Sequence, residues 1–511
     1  MIKNVADLTS QDFSKGLNTI HDIFKVEKEE TPDCMDVMFE FDGNVAKRLG
    51  TNTMNAAALS ATGSAGTLGV TTSGWAIFDF GAGANSVRWL TVGAGTAVYA
   101  SSNMGVGFLL ITSARSATYQ TYERSKNVLV MCSDAYDQVM FWPGSAGTLA
   151  SPLAVNSAPL AKIPINFTGF LILLNSNTRK RGFYYEDENS QLTGDWADSF
   201  DLPSSADDET TTAFILSNKL YVSTRYKLYA VSYVGGNPDW SYREIKAWGF
   251  VPRTVKKITL GDVGEVVIGL DWARRIRLFD GSNDKIISDR VENDNGMCEF
   301  AMEKISYAGS GLTLSFAETD DQQQVYKLAV AIGGNTQNAT HFLCLDARTK
   351  SFYPYDYSRI KFMSMCMAES GNRRYLMAVD QSGWIHMMDS GNTDRNTYAI
   401  DEHLDSPFLY EKSPSQMAKT QKIDLYFSVN SAGRVYYQDR IDFASTYEAP
   451  RQIFSVTSGG KVQHVESIDI PSTHNAYQYR LSSSASTTTP WRLNRVDYFL
   501  TGLGIGKEGK N

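Results

Sequence analysis

This 511-residue chain has no apolar stretch long enough to cross a bilayer. Runs such as Phe167 to Leu174 fall far short of the ~20 residues that a spanning helix needs. The opening Met-Ile-Lys-Asn-Val-Ala-Asp lacks an apolar core and carries an acid at Asp7, so no signal peptide is expected and the chain is read as soluble. Cysteine is scarce: Cys34, Cys132, Cys298, Cys344 and Cys366 lie far apart, with no C-x-x-C pair. An odd, scattered set in a chain this large excludes a disulfide framework and reads as reduced, buried small hydrophobes in a protein made in a cytoplasm. Basic charge is also in deficit, with 48 Lys and Arg against 56 Asp and Glu and a net charge of −8. That balance excludes a general grip on nucleic acid, which needs a basic surface and counterion release. The short clusters Arg179-Lys180-Arg181 and Arg274-Arg275-Arg277 are expected to be solvated loops or interface charges.

Catalytic constellations are missing as well. The six histidines (His21, His341, His386, His403, His464, His474) form no H-x-x-x-H pair. His464 and His474 are placed to meet on neighbouring strands, but a third metal ligand is lacking. No G-x-S-x-G elbow, P-loop or dinucleotide fingerprint occurs, and Ile332-Gly-Gly-Asn335 reads as a turn between strands. Asp201, Asp207-Asp208-Glu209, Glu318 and Asp320-Asp321 sit in polar loops. Paired glycosidase carboxylates need a fixed separation and one raised pKa, whereas contiguous loop acids are normally just solvated. Asn293-Asp-Asn-Gly296 comes nearest to a calcium loop, but Val291 stands where the first Asp is needed. The repeated Ser-x-Asp-x-Gly-x-x-Trp boxes of propeller sialidases are absent, and Asn338-Ala-Thr340 is a chance match to a glycosylation acceptor. Trp240 and Trp248 are expected in a core or interface. The chain is therefore expected not to be an enzyme and to need no cofactor or metal.

What the sequence does contain is strand and turn. Twenty-six Tyr and 25 Phe suit pleated, half-buried surfaces, and 42% hydrophobic with 20% charged residues is ordinary for a folded protein. Three regions follow. Residues 1–55 read as an extended arm: Cys34-Met-Asp-Val-Met-Phe-Glu-Phe41 ends at Asp42-Gly43, a strong hairpin signal, and Val45-Ala-Lys-Arg-Leu49 supplies the returning strand. Residues 56–395, after a small-residue linker from Asn55 to Gly69, alternate strand runs with turn punctuation in units of about 40 to 50 residues, the length of a four-stranded propeller blade. Phe170-Leu-Ile-Leu-Leu174, Lys219-Leu-Tyr-Val222, Val266-Val-Ile-Gly-Leu270, Leu312-Thr-Leu-Ser-Phe316 and Arg374-Tyr-Leu-Met-Ala-Val379 mark successive units. About seven blades are expected, with six or eight left open and an array of β-sandwiches as the alternative. Residues 396–511 read as a small antiparallel sandwich. There Ile423, Leu425, Phe427 and Val429 share one face of a period-2 strand, with Arg434-Val-Tyr-Tyr437 as its expected partner across a turn. Ser482 to Thr489 reads as a polar loop, and the Gly-rich tail from Gly502 as mobile.

The arm carries the most specific pattern. Asp12-Phe-Ser-Lys-Gly-Leu-Asn-Thr19, Thr31-Pro-Asp-Cys-Met-Asp-Val-Met-Phe39 and Asp42-Gly43-Asn-Val-Ala-Lys-Arg-Leu-Gly-Thr51 resemble the recurring opening of tailed-bacteriophage structural proteins. Lys15 departs from that pattern where Gly is common, and the middle segment matches loosely around Asp36. The end, Arg492-Leu-Asn-Arg-Val-Asp-Tyr-Phe-Leu-Thr-Gly-Leu-Gly504, is similar to the last strand of the same group. The resemblance is to podophage-like tail hub, nozzle or head-completion ("stabilisation") proteins. It implies a virion tail component: a homo-hexameric ring below portal and adaptor that passes double-stranded DNA without sequence-specific binding. It also implies contacts with tail fibres or spikes and none with membrane. An acidic lumen lets DNA slide without sticking. The arm would then reach a neighbour or the adaptor through Phe13, Leu17, Asn18, Phe39, Lys47 and Arg48, since an added strand gains many backbone hydrogen bonds at a sheet edge. A receptor- or glycan-binding propeller at the tail tip is the alternative, and it requires an exposed aromatic and carboxylate cluster on one propeller face.

Overall fold

The computed structural model describes residues 7–19, 25–40, 42–60, 76–82, 87–144, 153–154, 157–203, 205, 207–235, 239–261, 263–307, 311–334, 338–410, 418–429, 433–456, 462–470, 473–483 and 491–502. Among them strands dominate and no α-helix occurs. The Asn55–Gly69 linker, the loop from Ser482 and the tail after Gly502 lie largely outside the described residues.

The middle of the chain is a seven-bladed β-propeller. Blade 1 runs from Ala76–Ala82 to Leu109–Thr112, blade 2 from Gln120–Ser125 to Leu153–Ala154 and blade 3 from Ala161–Phe167 to Ser199–Asp201. Blade 4 runs from Thr210–Leu216 to Trp240–Lys246, blade 5 from Lys256–Leu260 to Asp284–Ile286 and blade 6 from Phe316–Asp320 to Ser351–Asp356. Blade 7 takes Phe362–Ser370, Arg373–Asp380 and Ile385–Met387 from the middle of the chain, and its fourth strand, Asn52–Thr53, from the arm. First strands of successive blades neighbour one another around the ring, the first blade meeting the seventh, except that the first strand of blade 4 meets Gly264–Leu270, the second strand of blade 5. Each second strand is flanked on both faces, which is why Phe170–Ser176 and Val325–Val330 are apolar and buried almost throughout. The outer strand Trp240–Lys246 is wet over most of its length and reads accordingly.

A recurring device closes the blades. The polar residue ending or just following the second strand accepts a backbone N–H from the turn that follows: Ser133 from Asp137 (3.1 Å), Ser176 from Arg179 (2.9 Å), Thr224 from Lys227 (3.0 Å). Asp271 receives Ala273 and Arg275 (both 2.9 Å), and Asp380 receives Ser382 and Trp384 (2.8 and 3.0 Å). Ser, Thr and Asp serve alike because each presents an oxygen at similar reach. Leu312–Leu314, expected to be strand, is a single 3-10 turn, and the first strand of blade 6 starts at Phe316.

The arm does not extend away from the body. Val37–Phe39 and Val45–Lys47 form the expected hairpin, which joins a sandwich sheet beside Trp491–Gly502. Asp7–Gln11 pairs with that same long strand, and Cys34–Met35 pairs with His403–Asp405 in the opposite sheet. Gly16–Leu17 and Glu30–Thr31 extend blade 6, running parallel to its outer strand at Phe352. One apolar core therefore runs from blades 5 and 6 through Phe13, Leu17, Val37 and Phe39 into both sandwich sheets.

The sandwich also corrects one strand pairing. Ile423, Leu425 and Phe427 are buried together as the alternation requires, but their strand, Ala418–Val429, pairs with Val462–Asp469 and Trp491–Gly502. Gly433–Ile441, which contains Arg434 to Tyr437, lies in the facing sheet against Tyr477–Ser483 and Arg451–Val456. Inward alternation is identical for a hairpin partner and for a strand of the opposite sheet, so the period alone does not separate the two. Across the sandwich Phe427 stacks on Phe454, ring centroids 6.0 Å apart.

Candidate functional site: a threaded arm and an axial funnel

The six arm residues expected at an interface with another subunit are all buried in their own chain. Phe13, Leu17 and Phe39 belong to the common core, and Phe39 meets the Tyr353 ring edge-on. Asn18 Nδ2 donates to Glu30 Oε2 (2.6 Å), and Glu30 pairs with Arg290 in the segment between blades 5 and 6 (3.2 Å). The strand edges the arm supplies are thus used inside the chain, where covalent attachment gives them a high effective concentration.

Three buried polar knots fasten the arm. In the first, Arg48 Nε donates to Asp36 Oδ1 (2.5 Å), while Nη1 and Nη2 fork onto the Asp394 carboxylate (2.7 and 2.6 Å). The Arg48 guanidinium lies over the Tyr357 ring, 4.2 Å from its centroid. Asp36 adopts a left-handed φ of 58° and also accepts the Asp356 N–H (2.9 Å). Burial pushes the Asp36 carboxyl up to about 7 even though Arg48 opposes the shift. One arginine facing two buried carboxylates leaves an excess negative charge, which a proton relieves.

The second knot pairs Lys47 with Glu402 (2.7 Å), each almost fully buried. Lys47 Nζ also donates to the Ile400 carbonyl (2.9 Å), and Trp491 Nε1 donates to Glu402 Oε1 (2.6 Å). The third gathers Asp33, His403, Arg480, Asp405 and Tyr447. Asp33 Oδ2 receives His403 Nε2 and Arg480 Nη2, both at 3.1 Å. Arg480 forks onto Asp405 (2.5 and 2.9 Å), which also accepts the Tyr447 hydroxyl (2.6 Å). Burial lowers the His403 pKa, but the Asp33 charge and hydrogen bond together with the Asp405 charge outweigh it, and the value is raised. Sequence reading found the arm but none of these knots, because Arg48, Lys47 and Asp33 find Asp394, Glu402 and His403 hundreds of residues away.

The other feature is a funnel of about 820 Å³ on the propeller axis, at the end where the capped turns lie. Thr118 and Tyr119 before blade 2, Lys162 in blade 3, Glu209 before blade 4, Arg253 before blade 5 and Thr313 before blade 6 line it. The Arg253 guanidinium stacks on Tyr119, 3.4 Å from the ring centroid, and Lys162 sits 4.6 Å from the Tyr136 centroid. Lys162 pairs with Glu209 at 3.9 Å, and Arg253 and Asp134 also line the wall, so its charges balance while threonine hydroxyls interrupt a largely apolar surface.

The remaining sequence candidates fall elsewhere. His464 lies opposite Phe427 and His474 opposite Ala418 on the same strand, too far along it to meet. Asp208 caps Thr224 and the Tyr226 N–H, Glu209 pairs with Lys180, Asp201 with Arg179, Glu318 with Lys256, and Asp320 caps its own turn. Asp294 and Asn295 fold back on the backbone of residues 296–298. Arg275 and Arg277 pair with Glu292 and Asp271, and Arg274 donates to the Glu303 carbonyl. All five cysteines are buried and unbonded, Trp240 is core, and Trp248 stacks on Arg277.

No family model matches the sequence, and no curated protein matches it. Among solved structures the chain is similar to BBS1N from its crystal structure in complex with ARL6DN, at 10% identity and a TM-score of 0.40, covering 67% of this chain and 97% of that one. It is similar to the Neurospora crassa Pan2 WD40 domain at 8% identity and a TM-score of 0.40, covering 66% and 95%. A chain of the mitotic checkpoint complex aligns at 10% identity and a TM-score of 0.38, covering 66% and 96%.

Proposed function

We propose that this chain is a structural component of a bacteriophage tail. In this reading it is a hub or nozzle subunit that closes into a ring below portal and adaptor, frames part of the DNA ejection channel and carries fibres or spikes. It performs no catalysis and resides in the virion. The observation that supports this reading is the threading of the arm, whose sequence carries the family resemblance, through blade 7, blade 6 and both sandwich sheets. Such threading joins the propeller and the sandwich into one stiff piece, as a wall under ejection load requires. Subunit contacts then fall to other surfaces, because the arm edges are spent within the chain.

The test is the mass and symmetry of the purified protein, alone and mixed with a portal–adaptor complex. A closed ring, or one that forms only on the adaptor, supports the reading; a monomer that ignores the adaptor overturns it. The funnel favours a second reading, a glycan-binding propeller, because Tyr119, Tyr122 and several threonines line a cavity within the usual size range of ligand sites. Saturable binding of host-surface oligosaccharide, weakened by Tyr122→Ala, would select it.

A further inference from the structure

We propose that Asp33, Glu299 and His403 form a binding site for a divalent transition-metal ion of the zinc type, which bolts the arm to the sandwich and to the segment between blades 5 and 6. One ligand atom from each of the three residues lies within 4.8 Å of the other two. His403 Nε2 and Asp33 Oδ2 are 3.1 Å apart. Two ligands each about 2.1 Å from zinc and separated by that distance subtend roughly 100° at the ion, an angle fit for adjacent ligands. An ion therefore enters between them by displacing the shared proton, with little movement of either buried side chain.

Glu299 completes the set from the solvent side. Its backbone N–H donates to Asp33 Oδ1 (2.8 Å), which fixes its Cα beside the pair, and its carboxylate is exposed and has no partner among the described residues. It is thus free to swing onto an ion and marks the path by which the ion arrives.

Charge points the same way. With neutral imidazole, Asp33, Asp405 and Glu299 against Arg480 leave an excess of two negative charges, which a divalent ion cancels. Arg480 Nη2 also donates to Asp33 Oδ2 at 3.1 Å, but its two-point fork lies on Asp405 at 2.5 and 2.9 Å, which already matches its charge. An imidazole nitrogen beside two carboxylates selects zinc-like ions over calcium or magnesium, which prefer oxygen alone.

The experiment is calorimetric titration of zinc chloride into the full chain after chelator treatment, with melting followed in parallel. One zinc per chain and a higher melting temperature are expected. Glu299→Gln should weaken binding at least about tenfold while leaving the melting of the metal-free protein unchanged, since the Glu299 side chain supports nothing else. His403→Gln should abolish binding. Absence of saturable zinc uptake overturns the proposal, as does wild-type affinity in Glu299→Gln. Equal affinity for calcium overturns the choice of metal class.

Discussion

Arg48 and Asp394 stand 346 residues apart in sequence and meet in a two-point hydrogen-bonded fork at 2.7 and 2.6 Å, both side chains nearly sealed from solvent. The pair ties the returning strand of the arm hairpin to the chain just past blade 7. Removing one partner strands buried charge. Arg48→Ala should therefore cost about 3–5 kcal/mol, because Asp36 and Asp394 lose their shared counter-ion. Arg48→Lys should recover only part of this, since an ammonium lacks the planar fork and stacks poorly on Tyr357. Chemical denaturation of the three proteins measures the order; a loss under about 1 kcal/mol in Arg48→Ala would show the knot to be peripheral to stability.

Asp36 makes the arm sensitive to pH. Its folded pKa of about 7 exceeds the ordinary 3.8, so the folded chain keeps a proton that the unfolded chain releases between those values. The stability this proton provides is full below pH 3.8 and falls as pH rises through about 7. His341, whose pKa burial lowers, acts oppositely below its ordinary 6.5, and Glu123, also raised to about 7, acts in the same sense as Asp36, so a global melt mixes them. Amide exchange read locally separates them. Protection at Asp36 and Arg48, whose N–H groups bond the Pro354 and Asp36 carbonyls, should decrease from pH 5 to pH 8 after correction for intrinsic exchange.

The propeller was readable because its second strands are flanked on both faces and must be apolar, and because turns punctuate them at blade length. Phe170 to Leu174 and Val266 to Leu270 are such strands and lie where that pattern places them. The blade repeat escapes sequence comparison because Ser133, Thr224 and Asp380 do one job with three side chains. The arm was legible as strands but not as to partner. Nothing local to Asp33, Lys47 or Arg48 names His403, Glu402 or Asp394, and an unpaired edge looks the same whether its own chain or a neighbour fills it. The funnel draws its lining from several separate blades, so no segment of sequence outlines it.

Ring closure depends on a glycine for reasons of space. A Cβ at Gly50 would lie 2.1 Å from the Thr393 carbonyl oxygen, a backbone atom that cannot move aside alone. The Gly50 N–H bonds the Gly391 carbonyl and the Thr51 N–H bonds that of Thr393, each at 3.0 Å, just before Asn52 and Thr53 enter blade 7. Gly50→Ala should push this strand off the blade edge and lower stability by about 2 kcal/mol or more. Limited proteolysis should then cut near Met54 at protease levels that leave the wild type intact. Resistance equal to wild type would mean that the backbone relaxes around the added methyl.

Glu123 lies on the first strand of blade 2, opposite Val130, and among the described residues no cation pairs with it. Burial raises its pKa from 4.5 to about 7, against a smaller opposing effect from the Arg124 N–H. The folded protein therefore prefers the neutral acid, and ionising it at alkaline pH draws on folding free energy. Glu123→Gln keeps the size and removes the charge. It should stabilise the protein by about 1–3 kcal/mol at pH 8, where the wild-type carboxylate is ionised in both states. At pH 5 the two proteins should differ little, because the wild-type folded state is already protonated. Paired denaturation curves at the two pH values measure the difference. A variant no more stable than wild type at pH 8 would mean that water already solvates the carboxylate in the folded protein.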